Sequence, residues 1–89
     1  MLKKKITVKN KLGLHARAAV KFVNLANCFG SLVRIEKDGA EIDGKSILGI
    51  LTLAAVKGSQ ITLIVSGKDE ATALKALVAL INNRFQEKE

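Results

Sequence analysis

The chain has 89 residues, and its 15 Lys and Arg side chains outnumber its 8 Asp and Glu, which gives a formal net charge of +7. This length allows one domain, residues 1–89, with a single hydrophobic core. Hydrophobic residues make up 48% of the chain, which excludes an intrinsically disordered protein. The positive charge favours an anionic partner: nucleic acid, an acidic membrane surface or an acidic protein.

Two features of the sequence bear on the compartment. No apolar run reaches the ~20 residues that span a membrane, and Lys9 and Lys11 interrupt the apolar core that a signal peptide needs. Cys28 is the only cysteine, so no internal disulfide can form, which fits a reducing compartment. We therefore expect a cytoplasmic protein and interpret Cys28 as a core or helix-end thiol.

The first half of the chain predicts a strand, a helix and a hairpin. Residues 2–9 alternate between apolar and polar side chains and predict a half-buried strand. From Ala16 the apolar side chains have helical spacing, and Gly30 can end this helix as a left-handed residue. Residues 32–37 and 40–43 then predict two strands, which the turn signal Asp38-Gly39 joins. The apolar face of the helix consists of Ala19, Phe22, Val23 and Ala26.

The second half predicts a short helix, a strand and a long helix. Ser46 is a preferred N-cap residue and precedes a short apolar helix that runs from Ile47 to about Leu53. Residues 61–65 predict the fourth strand, and the last helix begins near Glu70. Helical spacing in the last helix is kept by Leu74, Leu77, Val78, Ile81 and Phe85.

The order of these elements, β-α-β-β-α-β-α, predicts an α+β fold. Each long helix has one apolar face, so the helices should cover one side of a mostly antiparallel four-stranded sheet. A split β-α-β arrangement connects such a sheet naturally.

The only histidine, His15, lies where the predicted first helix begins. Histidine offers a neutral, nucleophilic imidazole near neutral pH, and unpaired N–H groups at a helix N-terminus favour a bound anion. Arg17 adds a planar guanidinium that is always charged. These residues suit a transient phosphohistidine, although a histidine at such a turn is more commonly a cap or a surface residue.

The short helix after Ser46 is apolar on two faces. Ile47, Leu48 and Leu51 share one face at 100° per residue, and Ile50, Leu53 and Ala54 share another. If only one face is buried, the other is a candidate docking surface; burial of both under the longer helices is the alternative. A phosphate on Ser46 would face the first-turn amides, so a regulatory role is chemically possible.

Two other classes of function compete with a phosphohistidine carrier. The charge of +7 suits a small nucleic-acid-binding domain, but none of the three phenylalanines, at positions 22, 29 and 85, falls in a predicted strand to form a stacking platform. The second alternative is a regulatory protein-binding domain that uses only the surface around Ser46. We expect neither a metal site nor a cofactor, and the sequence offers no second acid or base beside His15 for an enzyme that turns over a substrate.

Three sequence blocks closely resemble the HPr family, the histidine-containing phosphocarriers of the bacterial phosphoenolpyruvate-dependent phosphotransferase system. The blocks are NKLGLHAR at residues 10–17, GKSILGIL at residues 44–51 and GSQI at residues 58–61. The order of elements also agrees, so the resemblance covers the whole chain. It implies an open-faced β-sandwich, with three helices over a four-stranded antiparallel sheet.

The resemblance also implies roles for single residues. His15 would accept a phosphoryl group on Nδ1 from enzyme I and pass it to EIIA-type proteins. The Arg17 side chain and the backbone amides of Ala16 and Arg17 would hold the phosphoryl oxygens. Ser46 matches the position that a kinase, an HPr kinase/phosphorylase, modifies in some bacteria. The residues expected to contact partners are Leu14, Lys45, Ile47, Leu48 and Leu51.

The sequence departs from the family pattern at one position and also bears on the partners. We expect acidic partner surfaces, no nucleic acid, no membrane and a monomeric carrier. Most family members have proline directly after the arginine, whereas this chain has Ala18. Alanine is a good helix former and keeps its N–H, so phosphate binding should survive. Both the sugar-transport branch and the nitrogen-related branch of the family remain open.

Overall fold

A computed structural model describes residues 1–86 of the chain. Its elements follow the predicted order β-α-β-β-α-β-α, with a short 3₁₀ turn after the last helix. The strands are β1 (Leu2–Thr7), β2 (Leu32–Lys37), β3 (Ala40–Asp43) and β4 (Gln60–Ser66). The helices are α1 (Ala16–Ala26), α2 (Ile47–Thr52) and α3 (Glu70–Asn82), followed by the 3₁₀ turn Arg84–Gln86.

The four strands form one antiparallel sheet in the order β1-β4-β2-β3. Ile6 pairs with Ile61, and Leu63 pairs with Ile35, so these side chains lie on the same face. All four are buried, because the helices cover this face. The opposite face carries most of the polar side chains of the strands, which confirms the predicted α+β fold with one covered side.

The hydrophobic core lies between the sheet and the helices. The predicted inner face of α1, formed by Ala19, Phe22, Val23 and Ala26, is buried. Asp38 and Gly39 both have positive φ, 52° and 85°, and this backbone suits the two-residue hairpin that their sequence predicts.

The end of α1 differs from the prediction. The helix ends at Ala26 with a right-handed cap at Asn27, and Gly30 does not adopt a positive φ. The left-handed role expected for Gly30 is therefore wrong. Its backbone N–H instead donates to the Asp69 carboxylate at 3.0 Å, so a contact between distant loops fixes this turn.

The end of α3 also differs. Phe85 has helical spacing from Ile81, but α3 ends at Asn82 and Phe85 has left-handed φ and ψ of 54° and 34°. Its ring is nevertheless fully buried. The Lys21 Nζ donates to the Phe85 carbonyl at 2.7 Å. This hydrogen bond from α1 stabilises the non-helical backbone of Phe85, which lies beyond the end of α3.

Cys28 lies at the end of α1 with an exposed side chain. Its Sγ lies 3.5 Å from the Asn24 carbonyl, so of the two predicted settings the helix end is correct. Within residues 1–86, none of the helices has the length and apolar character required to cross a membrane.

Candidate functional site

His15 is the N-cap residue of α1, with an extended backbone (φ −81°, ψ 178°). Its carbonyl accepts the first helical hydrogen bond, from the Ala19 N–H at 2.9 Å. Its side chain makes no capping hydrogen bond to the helix. The half-exposed residue therefore lies at the N-terminus of the helix without capping it through its side chain.

The first turn of α1 presents positive potential to solvent. The N–H groups of Ala16 and Arg17 precede the first intrahelical hydrogen bond, and such groups carry the positive end of the helix dipole. No acidic residue lies in this turn to neutralise it, and the Arg17 side chain is exposed. The structure thus brings together His15, the two backbone amides and the guanidinium-bearing residue of the predicted site.

A close backbone contact fixes the segment that leads into His15. Gly13 has φ +68°, and a Cβ at this position would lie 2.3 Å from the Ala55 carbonyl oxygen. The next residue, Leu14, donates its N–H to the same oxygen at 2.8 Å. Only glycine permits this approach together with this φ. The loop between α2 and β4 therefore holds His15 in place.

Leu14 does not present its side chain to a partner. It is 4% exposed and belongs to the hydrophobic core, so its expected place in the docking surface is corrected. Its N–H donates to the Ala55 carbonyl while its side chain packs in the core. Its contribution is to anchor the loop.

Ser46 is the N-cap residue of α2, as predicted. Its Oγ accepts the Gly49 N–H at 3.0 Å, and its carbonyl accepts the Ile50 N–H at 3.0 Å. Ser46 as a whole is half-exposed. The Ser46 side chain therefore caps the first turn of α2. Because the residue is only half-buried, a modifying enzyme could still reach its oxygen.

The two apolar faces of α2 have different environments. Ile50 and Leu53 are buried, whereas Ile47 is 38% and Leu48 is 76% exposed. Leu51 is partly buried and packs against the core. Ala54 departs from the predicted pattern because it is exposed and has a left-handed φ of 49°. The surface around Ile47 and Leu48, which we call the α2 patch, is the unburied face that the sequence left as one alternative.

Lys45 has a structural contact that its sequence did not reveal. Its Nζ donates to the Phe29 carbonyl at 2.8 Å, and the residue is half-buried. The ammonium group therefore caps the chain just after α1, and a partner could reach it only by competing with this bond.

Sequence reasoning missed three exposed apolar side chains beside the site. Leu12 and Val56 flank the Gly13–Ala55 contact and are 63% and 65% exposed, and Val20 is 40% exposed one turn after Arg17. The sequence contained a signal for this, because Leu12 is an apolar residue inside the polar turn at residues 10–13. No cluster of three His, Cys, Asp or Glu side chains that could hold a metal ion occurs in the part of the chain that the structure describes.

Comparison with known proteins shows the family. A family model described as "PTS HPr component phosphorylation site" matches residues 2–83. The chain is 51% identical over 89 residues to a phosphocarrier protein HPr of Cupriavidus necator, with full coverage of both chains. A crystal structure of HPr from Thermoanaerobacter tengcongensis superimposes with a TM-score of 0.96 at 44% identity, again over both entire chains.

A second solved structure bears on the oligomeric state. It is described as an HPr dimer from T. tengcongensis and matches with a TM-score of 0.79 at 45% identity, covering 98% of this chain and 100% of that one. The expected monomer thus lacks support from these neighbours. The nucleic-acid and purely regulatory alternatives are not favoured, because the match extends over nearly the whole chain. The chain belongs to the HPr family of the phosphotransferase system, and it is a phosphocarrier protein and not a catalytic enzyme.

Proposed function

We propose that His15 is the residue that carries the phosphoryl group. The observation that carries this assignment is the position of His15 at the N-terminus of α1, where the amides of Ala16 and Arg17 precede the first intrahelical hydrogen bond and no acid lies in the first turn. A phosphate on Nδ1 would meet the amides of Ala16 and Arg17, whose dipoles stabilise negative charge. The Arg17 guanidinium would pair with the phosphoryl oxygens.

The transfer step is an in-line displacement. The Nδ1 lone pair attacks phosphorus, and the new P–N bond forms as the bond to the donor, phosphorylated enzyme I, breaks. In the next step an EIIA-type acceptor attacks the same phosphorus and the imidazole leaves. The protein contributes position and charge stabilisation. One chain supplies every group named here, so transfer requires only a monomer.

The α2 patch is the proposed docking surface for both partners. Leu48 is 76% and Ile47 38% exposed, and exposed apolar side chains of this kind are typical of the centre of an interface. The net charge of +7 favours acidic partner surfaces. Leu51, predicted on the same helix face, is partly buried and packs against the core. We expect this exchange to take place in the cytoplasm.

Labelling with phosphoenolpyruvate and enzyme I tests the His15 assignment. Mass spectrometry should find one acid-labile, base-stable phosphate on the wild-type chain and none on His15→Ala. Ser46→Ala is the matched control, because it removes the other N-cap side chain and should still accept one phosphate. Acceptance of the same label by His15→Ala would overturn the assignment.

Ser46 is the proposed regulatory position, open to an HPr kinase. A phosphate there adds about −2 charges beside the α2 patch, and repulsion from an acidic partner grows as docking excludes water. Ser46→Asp should fold with wild-type or slightly higher stability, since negative charge favours a helix N-terminus. It should accept phosphate from enzyme I more slowly, with a defect that shrinks as salt rises.

Thr72→Asp is the control for this experiment. Thr72 is exposed on α3, so its replacement makes the same change in net charge away from α2. Phosphorylation rates across a salt series should separate the two variants. A Ser46→Asp chain phosphorylated as fast as wild type at low salt would remove Ser46 from the docking region.

A further inference from the structure

The face of the sheet that the helices leave open has a regular pattern of charge. Side chains of residues paired across a sheet point to the same face. The register therefore places one row across the sheet from Lys3 on β1 to Asp43 on β3, and a second row from Lys5 to Glu41. Between these ends lie Ile64 and Arg34 in the first row, and Thr62 and Glu36 in the second.

This open face differs in charge from the rest of the chain. Within the four strands it carries three basic side chains and three acidic ones, listed by row above, whereas the whole chain has a net charge of +7. The basic charges of Lys3 and Lys5 lie on one edge strand, and the acidic charges of Glu41 and Asp43 lie on the other. A neutral, polarised face does not suit a uniformly acidic partner.

Apolar side chains lie at one end of the same face. Met1 is 71% and Leu32 is 70% exposed. With Ile64 they line a shallow concavity of about 300 Å³, which Lys3 and Arg34 border. An antiparallel sheet can present a polar face to water, but two large apolar side chains that are mostly exposed mark this end as a contact surface.

We propose that the open sheet face binds a second copy of this chain. A rotation of 180° about an axis parallel to the strands places β1 of each copy over β3 of the other and preserves the rows. Lys3 then faces Asp43 across the interface and Lys5 faces Glu41, each pair occurring twice, as an isologous interface requires. The exposed apolar end, formed by Met1, Leu32 and Ile64, then packs against the same residues of the second copy.

The perpendicular rotation is excluded by the same charges. An axis across the strands would place β1 over β1, so that Lys3 and Lys5 of one copy would face the lysines of the other. Like charges that face each other destabilise an interface. The pattern therefore selects one arrangement of the two sheets, within the ~30° that twisted sheets adopt when they pack face to face.

The size of the face sets the strength of the association. Four strands ~4.8 Å apart and about six residues long cover an area of roughly 20 by 20 Å, which is small beside the ~800 Å² per partner of a standard interface. We therefore expect a weak, reversible dimer at high protein concentration and a monomer in dilute solution. Because the helices cover the other face, His15 and the α2 patch stay accessible.

Charge reversal across the interface gives a specific test. Sedimentation equilibrium of the wild type at about 10 µM to 1 mM, the range in which weak interfaces dissociate, should show the mass rising toward a dimer. Lys5→Glu and Glu41→Lys should each stay monomeric, because each variant brings two like charges together at both copies of this pair. An equimolar mixture of the two variants should associate, because in the mixed dimer the carboxylates of one variant face the ammonium groups of the other at both positions.

Two further variants keep the test decisive. Lys4→Glu makes the same charge change on the neighbouring residue, whose side chain points away from the open face, and should dimerise like the wild type. Leu32→Asp removes an exposed apolar side chain and should abolish association without loss of the fold. The proposal is overturned by a wild type that stays monomeric at about 1 mM, by a Lys4→Glu defect equal to that of Lys5→Glu, or by a mixture that fails to associate.

Discussion

Helices α1 and α2 begin in opposite ways. At α2 the Ser46 Oγ accepts the Gly49 N–H at 3.0 Å and closes the first turn. At α1 the His15 side chain makes no such bond, so the first-turn amides stay available to a ligand. The N-terminus of α1 is therefore suited to binding an anion, whereas that of α2 is suited to stabilising its own helix.

The N-cap of α3 shows a third arrangement. The Asp69 side chain makes no capping bond to its own helix. It accepts the N–H groups of Gly30 and Ser31, each at 3.0 Å, and the Ser31 hydroxyl. Residue type alone therefore does not determine what a residue at the N-cap position does, because its side chain can act on a distant segment.

The largest expected effect comes from breaking the contact that positions His15. Gly13→Ala places a Cβ against the Ala55 carbonyl and a side chain on a φ of +68°, so we expect a loss of about 1–3 kcal/mol in the free energy of unfolding. Phosphoryl transfer should also slow, because the loop before His15 must move. Urea denaturation and the transfer rate measure the two effects.

Gly39→Ala is the control for Gly13→Ala. Gly39 has a φ of +85°, but no atom lies within 4 Å of a Cβ built there, so this variant carries backbone strain alone. It should lose less stability and transfer phosphate at the wild-type rate. Equal losses from the two variants would show that the Gly13–Ala55 contact does not position the site.

Arg17→Lys sharpens the assignment of α1. The charge is kept, but the planar fork of the guanidinium is lost, and we expect transfer to slow about tenfold, or ~1.4 kcal/mol in activation free energy. Because Arg17 is exposed, stability should change by less than ~0.5 kcal/mol. Rapid-quench kinetics with both partners measure the rate. Arg34→Lys, on the open sheet face, should transfer normally; an unchanged rate for Arg17→Lys would refute its role.

Replacement of the two N-cap side chains tests the comparison directly. Ser46→Ala should lower the free energy of unfolding by about 1 kcal/mol, the usual value of such a cap. His15→Ala should cost less than Ser46→Ala, since no capping bond to the helix is lost. Thermal and urea unfolding of both variants give the difference. A larger loss from His15→Ala than from Ser46→Ala would reverse the assigned roles.

The smallest effect is the pH dependence of the Asp69 contact. The hydrogen bond from the Ser31 hydroxyl, together with those from the Gly30 and Ser31 amides, lowers the pKa of the Asp69 carboxyl. A lowered folded-state pKa contributes stability that is complete above the unfolded value, about 3.9, and is lost as pH falls through the folded value. The stability difference between wild type and Asp69→Asn should therefore be constant near neutral pH and shrink in acid. A difference that does not shrink as pH falls below the unfolded value would contradict this.

Local sequence patterns predicted the helices and strands of the fold. The features that they did not predict depend on contacts between residues distant in the sequence. Strand β3 and the start of α1 lie where hairpin chemistry and helical periodicity place them. Phe85 has the spacing of a helical residue, yet its backbone is left-handed and Lys21 holds its carbonyl. No local pattern contains that contact, because the two residues are 64 positions apart.

The candidate site was predictable to the same extent. The positions of His15 and Ser46 at two helix N-termini follow from turn and capping residues in the sequence. The orientations of Leu14 and Lys45 do not, since the Ala55 carbonyl turns the first inward and the Phe29 carbonyl binds the second. The sequence thus predicted the residues of the candidate site, while backbone contacts from other elements determined which of their side chains are exposed.

The most direct measurement follows the backbone amides when the chain is phosphorylated. In ¹⁵N-labelled protein charged by phosphoenolpyruvate and enzyme I, the amide signals of Ala16 and Arg17 should shift strongly, because the phosphoryl oxygens of phosphorylated His15 are proposed to lie against these two amides. The amide of Gly49 should stay in place, since the Ser46 hydroxyl already binds it. Unchanged signals at Ala16 and Arg17 in a fully phosphorylated chain would contradict the account.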